Sequence, residues 1–573
     1  MLVLRRVPWR SLPLHSPHPS TRSSVRGWRA SSSSSQSESS DLFEFTNGNY
    51  LVSSALRLAE RKVVFNVAEL SRLAAQSVNR SPDEVASVTK NCETVYDRTI
   101  IITMRDGFKM EAHIPYHCTL PRYFATASKA ATMAFLRTHG IPAPQVYGYA
   151  PDANNAAGTE YIFTESLRHN ERLVDQWFYL EEADIISVAR QLAQLESKMM
   201  SIPFPAGGAL YYTDDLERVG APHVPLPEDA RFAVGPDSRP ALWLGERAGM
   251  DVHRGPYKDA EATLLGPAEN EITYLTQFGR PQLPVERIKR VAYKHVEQNP
   301  AEHIETLTRY RLLAPSLIPK DPDLARFCIR HRNVHFDNIL VSRSSDGTLN
   351  IAAVIDWYYT AIRPVFLLSY MPYGFGDWTV PLSQVMSTPS NFDKSTDPGA
   401  EERRGDYQRR PVNHHYLEEV EKHNPLLYRC LEDSSVKIRH QLFWAAGKEW
   451  QADPIPLKIG LIEAATSWKS LRADDRAPCP IRFDMEEMCK TILQYQHGVK
   501  VMSEMSQLQL MCNISTNNYV DKCDFEAAVE RGRILKQNAL LDALRGDGQG
   551  MFPELIKDWP LDDFDEEGKV IGS

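Results

Sequence analysis

Two short apolar runs set close together form the clearest pattern in this chain. Ile339-Leu340-Val341 and Ile351-Ala352-Ala353-Val354-Ile355 flank the turn sequence Ser344-Ser345-Asp346-Gly347. Such runs around Asp-Gly predict a hairpin. A polar loop, His331-Arg332-Asn333-Val334-His335-Phe336-Asp337-Asn338, leads into the first strand, and Asp356-Trp357 leads out of the second. The hairpin returns Asp356 beside Asn338, so two oxygen-bearing side chains face one point.

Earlier in the chain, apolar spacing of three and four residues predicts helices over Leu51–Leu58 and Val67–Val78, with Asn66 placed to cap the second. Strands are predicted at Val85–Val88, Thr99–Thr103, Phe108–Ile114 after the turn Arg105-Asp106-Gly107, and Tyr161–Thr164. A helix from Ala125 to His139 is closed by Gly140 and the prolines 142 and 144. Beyond Leu173 helical periodicity dominates, over Glu182–Met200, Ala268–Val296, Ala301–Leu313, Glu432–Trp450 and Phe525–Ala543. Residues 203–256, rich in Pro and Gly, read as loops and short turns, and 388–410 as an exposed insertion. The predicted organisation is α+β. It has a helical extension at 41–80, a small β-rich lobe at 81–170, a larger helical lobe at 171–387 holding the loop and hairpin, and a helical extension at 411–573.

Composition narrows the function classes. The chain has 573 residues, 42% hydrophobic and 24% charged, as ordinary globular proteins do. A net charge of −9 and the lack of a basic, aromatic-interleaved face give no reason to expect a nucleic-acid partner. No apolar run approaches the ~18 residues of a membrane span. Eight scattered cysteines without a Cys-x-x-Cys pair suggest reduced thiols in an intracellular compartment. Residues 1–40 differ from the rest: Arg5, Arg6, Arg10, Arg22, Arg26 and Arg29 lie in a Ser-rich stretch whose first acidic residue is Glu38. That is the composition of a mitochondrial transit peptide, and mitochondrial localisation is the expectation.

The loop carries the candidate chemistry. A nucleotide-bound Mg²⁺ needs few protein ligands, because phosphates and water complete its octahedron. Asn338 and Asp356 suit that role. Kinase loops read His-x-Asp-x-x-x-x-Asn and are followed by a metal-binding Asp. Here His331 and Asn338 keep the spacing, while Asn333 stands at the catalytic base. The plainer alternative is a polar loop whose Asn and Asp side chains only cap turns.

Several segments carry a wider resemblance. They are Asp41-Leu42-Phe43-Glu44-Phe45, Glu60-Arg61, Phe65-Asn66-Val67, Ala131-Thr132-Met133-Ala134-Phe135-Leu136-Arg137, Ile141-Pro142-Ala143-Pro144-Gln145-Val146-Tyr147, Gly158-Thr159-Glu160-Tyr161-Ile162, Arg254-Gly255-Pro256, His331 to Val341 and Ile355-Asp356-Trp357. From about Asp41 to Pro372 the sequence resembles the aminoglycoside phosphotransferase-like, kinase-fold proteins of fungi, and more narrowly their mitochondrial altered-inheritance-of-mitochondria group. The resemblance implies a bilobal protein-kinase-like fold, with ATP and Mg²⁺ as cofactors. It also implies Asn338 and Asp356 as metal ligands, Glu165 where the strand enters the interlobe hinge, and a structural role for His331.

Four positions depart from that pattern. The turn Glu93-Thr94-Val95-Tyr96-Asp97-Arg98 contains no glycine, so close backbone approach to phosphates is resisted. His113 replaces the strand Lys or Arg that would hold phosphates, and Lys129 replaces the helix Glu that would pair with it. No acidic residue lies between Glu111 and Asp152, so the expectation is that no ion pair forms and that His113 and Lys129 face each other. Asn333 cannot take a proton as Asp would; His335 and Asp337 are the remaining candidates for a displaced base. Two functions follow. One is a pseudokinase-like protein that binds a partner protein or small molecule, with ATP and Mg²⁺ binding doubtful. The other is a weakly active ATP- and Mg²⁺-dependent small-molecule phosphotransferase. Nothing in the sequence favours a protein kinase or nucleotidylating enzyme.

Overall fold

The computed structural model describes residues 41–372, 375, 400–433, 435–471, 477–545 and 552–562. Residues 1–40, read from sequence as a transit peptide, lie outside the described residues, as does the expected insertion up to 399; its last residues open a helix, Ala400–His423.

After a short strand β1 (Gly48–Tyr50) come helices α1 (Ser54–Arg61) and α2 (Val67–Ser77). The Asn66 side chain caps α2 by accepting the Glu69 N–H at 3.1 Å. Strands β2 (Val85–Glu93), β3 (Asp97–Met104) and β4 (Lys109–Pro115), helix α3 (Phe124–Thr138), and strands β5 (Val146–Ala150) and β6 (Tyr161–Glu165) complete the small lobe. The sheet is antiparallel in the order β2-β3-β4-β6-β5. Strand β5 was not expected: all five residues are half-buried, so no period-two alternation marks it.

The period of two sorts the strand residues onto two faces. Ile100, Ile102, Met110, Ala112 and Phe163 pack under Phe65 and the α2 residues Leu70, Ala74 and Ala75. Asp97, Thr99, His113 and Thr164 share the opposite face, toward α3 and the interlobe cleft.

The large lobe begins with β7 (Glu171–Arg172) and α4 (Glu182–Ser201). The stretch expected to be loops is instead structured. Its β8 (Gly208–Tyr212), β9 (Val224–Pro225) and β10 (Phe232–Gly235) join β11 (Phe327–Ile329) and, across the hairpin β12 (Ile339–Arg343)–β13 (Leu349–Val354), β14 (Ala361–Pro364). The second five-stranded sheet runs β11-β14-β8-β10-β9. Residues of β8 and β10 are buried on both faces, which removes the alternation a strand would show. A Cβ at Gly208 would fall 2.2 Å from the Gly235 carbonyl oxygen, so this close pairing of β8 with β10 requires glycine. The expected long helix over 268–296 also divides. Helix α5 (Ala260–Phe278) stops at Gly279, because Pro281 and Pro284 cannot continue it, and a separate turn of helix spans Arg287–Ala292.

The lobes share one apolar core. Ala130, Met133 and Leu136 of α3 pack with Leu210, Phe232, Ile329, Val354 and Trp357 of the large lobe. Stacked Tyr149 and Tyr212 rings (centroids 5.6 Å apart) and the Tyr149 hydroxyl, donating to Asp215 at 2.7 Å, extend that seam. A second tie comes from the far end of the chain, where β15 (Tyr519–Asp521) pairs antiparallel with β1. Around it Tyr519 meets Phe45 and Tyr50, and the Arg61 guanidinium lies 4.9 Å from the Tyr50 ring. All eight cysteines are free thiols, and among the described residues no helix is long and apolar enough to cross a membrane.

A Cβ at Gly48 would fall 2.2 Å from the Val520 oxygen and 2.6 Å from the Tyr519 ring. Gly48→Val should therefore separate β1 from β15 and cost about 1–3 kcal/mol. Limited proteolysis checks this: the variant should gain cleavage near residues 41–53 and 515–522, and an unchanged digestion pattern would refute the tie.

Candidate functional site

The loop is built on one buried imidazole. His331 Nε2 lies 3.0 Å from the Ile355 carbonyl, and Nδ1 accepts the Asn333 N–H at 3.1 Å. One protonated nitrogen and one bare nitrogen satisfy both bonds, so His331 is neutral with Nε2 carrying the proton. Burial drives its pKa down to about 3. Its ring sits edge-on to Trp357, with centroids 4.4 Å apart.

Asn338 supports the loop from the other end. Its amide nitrogen donates to the Asn333 carbonyl at 2.9 Å and approaches His335 Nε2 at 3.1 Å. Ile355 N–H donates to the Asn338 carbonyl at 2.9 Å, which sets Asp356 next to Asn338. Asp356 adopts a left-handed conformation, φ +65°, which Asp and Asn tolerate better than most residues. Desolvation raises its carboxyl pKa, with Lys129 opposing the rise and Asp97 adding to it. Asn333, half-buried, stands at the base position, and its amide cannot accept a proton. Asp337 faces His335 Nδ1 at 3.1 Å and Arg172 at 3.9 Å.

The opposite wall differs from the sequence expectation. An ion pair does form, with its polarity reversed. Lys129 Nζ on α3 donates to Asp97 Oδ2 at the start of β3, at 2.8 Å and out of solvent. His113 Nδ1 lies 3.4 Å from the same oxygen, and its Nε2 lies 3.1 Å from Thr164 Oγ1. Thr94 Oγ1 donates to Asp97 Oδ1 at 2.9 Å. Burial alone would raise the Asp97 pKa. The Lys129 ammonium and the His113 contact outweigh it and hold the carboxyl well below its usual range. His113 and Lys129 therefore share a carboxylate and do not confront each other. The partner was missed because it comes from the preceding strand, outside the 111–152 interval. Strand register would have found it: Thr99 pairs with His113, and Asp97 lies two residues back on the same face.

The turn above this pair is fastened downward. The Tyr96 ring lies 5.2 Å from each of the Tyr358 and Tyr359 rings. Its hydroxyl hydrogen-bonds Arg332 of the loop, and burial pushes its pKa up to about 12. The Tyr96 carbonyl accepts the Tyr116 N–H at 3.0 Å and the Thr119 hydroxyl at 2.5 Å. Lys129 Nζ lies 4.0 Å from the Tyr358 ring centroid, a cation–π contact. Tyr358 and Tyr359 directly follow Asp356-Trp357, and that consecutive pair was the overlooked signal in the sequence. Glu165, at the strand end, is occupied by Arg137 Nη1 and the Gln145 N–H, both at 2.8 Å.

The donor set fits a nucleotide-bound cation only in part. The Ile355–Asn338 backbone bond brings Asp356 next to Asn338, but among the described residues no cluster of three or more His, Cys, Asp or Glu forms a metal site. The phosphate side carries the Asp97 carboxylate and three packed tyrosines.

Two predictions follow from this wall. Lys129→Met leaves Asp97 charged and buried without its main partner, so unfolding free energy should fall by about 3–5 kcal/mol. Adding Asp97→Asn should restore much of that loss, whereas purely additive effects in the double-mutant cycle would contradict the pair. The second concerns acid. His303, His331 and His440 are held neutral by burial, with pKa values near 4, 3 and 3 against an ordinary 6.5. Below pH 6.5 the unfolded chain takes up protons that the folded chain refuses, so stability falls as pH drops toward 4, by up to about 1.4 kcal/mol per unit for each histidine. The depressed Asp97 carboxyl adds its loss only below its ordinary 3.8. Urea unfolding at pH 7 and pH 5 measures the first window; equal stabilities would contradict it.

The chain is similar to known proteins over different spans. Residues 125–366 match the phosphotransferase enzyme family, APH. A subtelomeric hrmA-associated cluster protein of Aspergillus fumigatus is 28% identical over 520 residues, covering 84% of this chain and 98% of that protein. The mitochondrial altered inheritance of mitochondria protein 9 of Yarrowia lipolytica is 23% identical over 367 residues, covering 58% of this chain and 61% of that protein. Among solved structures, the Plasmodium vivax ethanolamine kinase aligns over 74% of this chain and 84% of its own, at 10% identity and a TM-score of 0.33, too loose a superposition to assign residues. This chain is thus a two-lobed protein with an APH-family phosphotransferase-like domain, homologous to fungal altered-inheritance-of-mitochondria and subtelomeric cluster proteins.

Proposed function

We propose that this protein is a mitochondrial pseudokinase, a phosphotransferase-like domain that acts by binding and no longer by catalysis. One observation carries the reading: Tyr96 rests on Tyr358 and Tyr359, over the Lys129–Asp97 pair, where phosphates would have to lie. A phosphate group entering there would displace the rings and meet a carboxylate. Asn333 compounds the deficit, since losing a general base costs typically ~10²–10⁴-fold in rate. The ligand class on this reading is a partner protein or a small molecule held by the closed lobes. The Arg- and Ser-rich first 40 residues and the mitochondrial names of the altered-inheritance relatives support the compartment.

A second reading keeps a specific observation in its favour. Asn338 turns its amide nitrogen into the loop, and Asp356 stands beside it, as two ligands of a Mg²⁺–ATP complex would. On that reading the protein is a weakly active ATP- and Mg²⁺-dependent small-molecule phosphotransferase whose turn at Tyr96 lifts on binding.

Thermal-shift titration of the full chain with Mg-ATP separates the two. The pseudokinase reading expects no saturable shift at millimolar nucleotide. A Mg²⁺-dependent shift that disappears in Asp356→Asn would overturn it; Asn suits the left-handed backbone there, so the variant tests the charge alone. Asn333→Asp should likewise fail to produce phosphoryl transfer from ATP, because restoring the base leaves the phosphate side closed. Fractionation of a tagged full chain tests the compartment: recovery in the cytosol would sink that part of the reading.

A further inference from the structure

Two arginines near the loop are buried with too little counter-charge. Arg363 lies on β14 opposite Cys328 of β11, the strand that leads into the loop, and Arg239 follows β10. Each is 4% exposed. Both guanidinium groups lie against the same two rings: Arg239 is 4.9 Å from Phe443 and 5.6 Å from Trp444, and Arg363 is 5.4 Å and 4.9 Å from them. Phe443 is buried and Trp444 half-buried, so the two arginines lie at the inner edge of that aromatic pair.

Asp237 is the carboxylate in contact with the two arginines. Its Oδ2 accepts Arg239 Nε at 2.8 Å and stands 3.8 Å from Arg363 Nη2, beyond hydrogen-bond length. Two guanidinium charges against one carboxylate leave one positive charge uncompensated. Arg239 Nη1 and Nη2, Arg363 Nε and Nη2, and the hydroxyl of buried Tyr257 have no hydrogen-bond partner among the described residues. Tyr257 lies within electrostatic reach of Asp237, Arg239 and Arg363. Desolvation, reinforced by Arg239, lowers the Arg363 pKa to about 9 although Asp237 opposes it.

Buried polar groups are almost always bonded, and buried charges almost always paired. Two other enclosed arginines show the usual pairing: Arg330 reaches Glu196 and two carbonyls, and Arg247 reaches Glu271 twice. The donors left over at Arg239, Arg363 and Tyr257 outnumber what the two oxygens of a carboxylate accept well. A phosphate group brings three acceptor oxygens and up to two negative charges, and guanidinium forks bind it in bidentate fashion.

We propose that Arg239, Arg363 and Tyr257 form a binding site for a small phosphate monoester, seated against Phe443 and Trp444. The site is separate from the nucleotide cleft and does not depend on whether that cleft accepts ATP.

The test is thermal shift of the full chain in glycerol 3-phosphate, in inorganic phosphate and in sodium acetate, each against sodium chloride at matched ionic strength. Both phosphates should give a saturable rise in Tm of several degrees, and acetate none. Arg363→Met should abolish the rise without lowering the Tm of the ligand-free protein, because it removes the surplus positive charge and leaves Asp237 paired with Arg239. If that variant does not fold, Arg239→Lys keeps the charge but loses the fork, and apparent affinity should fall at least tenfold. Asp356→Asn should leave the phosphate shift unchanged. The proposal is overturned by no saturable shift with either phosphate, by an equal shift with acetate, by a shift that survives both arginine substitutions, or by its loss in Asp356→Asn.

Discussion

The structure of the cleft depends on a single buried contact, the Lys129 ammonium on the Asp97 carboxylate. An enclosed carboxylate is tolerable only with a close counter-charge, and here the partner comes from helix α3. The contact fixes α3 against β3, as a strand cation paired with a helix carboxylate would, but with the signs exchanged. The exchange matters for chemistry. A strand cation would project its charge toward phosphates, whereas on the proposed reading a phosphate would meet the Asp97 carboxylate. His113 does not relieve this, because Asp97, Thr99 and Thr164 already surround its ring.

The same contact organises the aromatic plug. Lys129 sits over Tyr358, and Tyr96 closes on Tyr358 and Tyr359 from the β2–β3 turn. Kinase-type catalysis requires lobes that open and close about a hinge. Here three independent seams oppose such motion: the plug, the α3 core shared with the second sheet, and the β1–β15 pair that joins chain segments about 470 residues apart. Each is a packed or hydrogen-bonded surface and not a flexible linker. The proposed binding role rests on that packing as much as on Asn333 at the base position.

The sequence made some of this legible. The hairpin around Asp346-Gly347, the loop at His331 and the small-lobe strands other than β5 follow from local signals: alternation, turn residues and caps. The second sheet was hidden because its strands are short and buried on both faces, so Ala233 and Leu210 show no polar alternation. The reversed ion pair was hidden for a different reason. Substitutions at His113 and Lys129 each looked like a loss when judged alone, and the compensating residue, Asp97, lay in the glycine-free turn that was itself a departure. Only the antiparallel register turns three apparent defects into one satisfied cluster. Arg239 and Arg363 were equally unreadable, because 124 positions separate them and only the second sheet brings them to the same pair of rings.

That lesson bears on Asn338 and Asp356, whose retention first suggested a surviving metal site. Asn338 holds the loop carbonyl of Asn333, and Ile355 is bonded both to His331 and to the Asn338 backbone. Asp356 occupies a left-handed position where Asp and Asn are the least strained choices after glycine. Each residue thus has a structural reason to be what it is, independent of a cation. On the proposed reading, Asn338 and Asp356 are present because they fold the loop, while a paired carboxylate and stacked rings stand where phosphate would be handled. Retained fold-building residues beside rebuilt phosphate-handling ones is the pattern expected of a scaffold turned to binding.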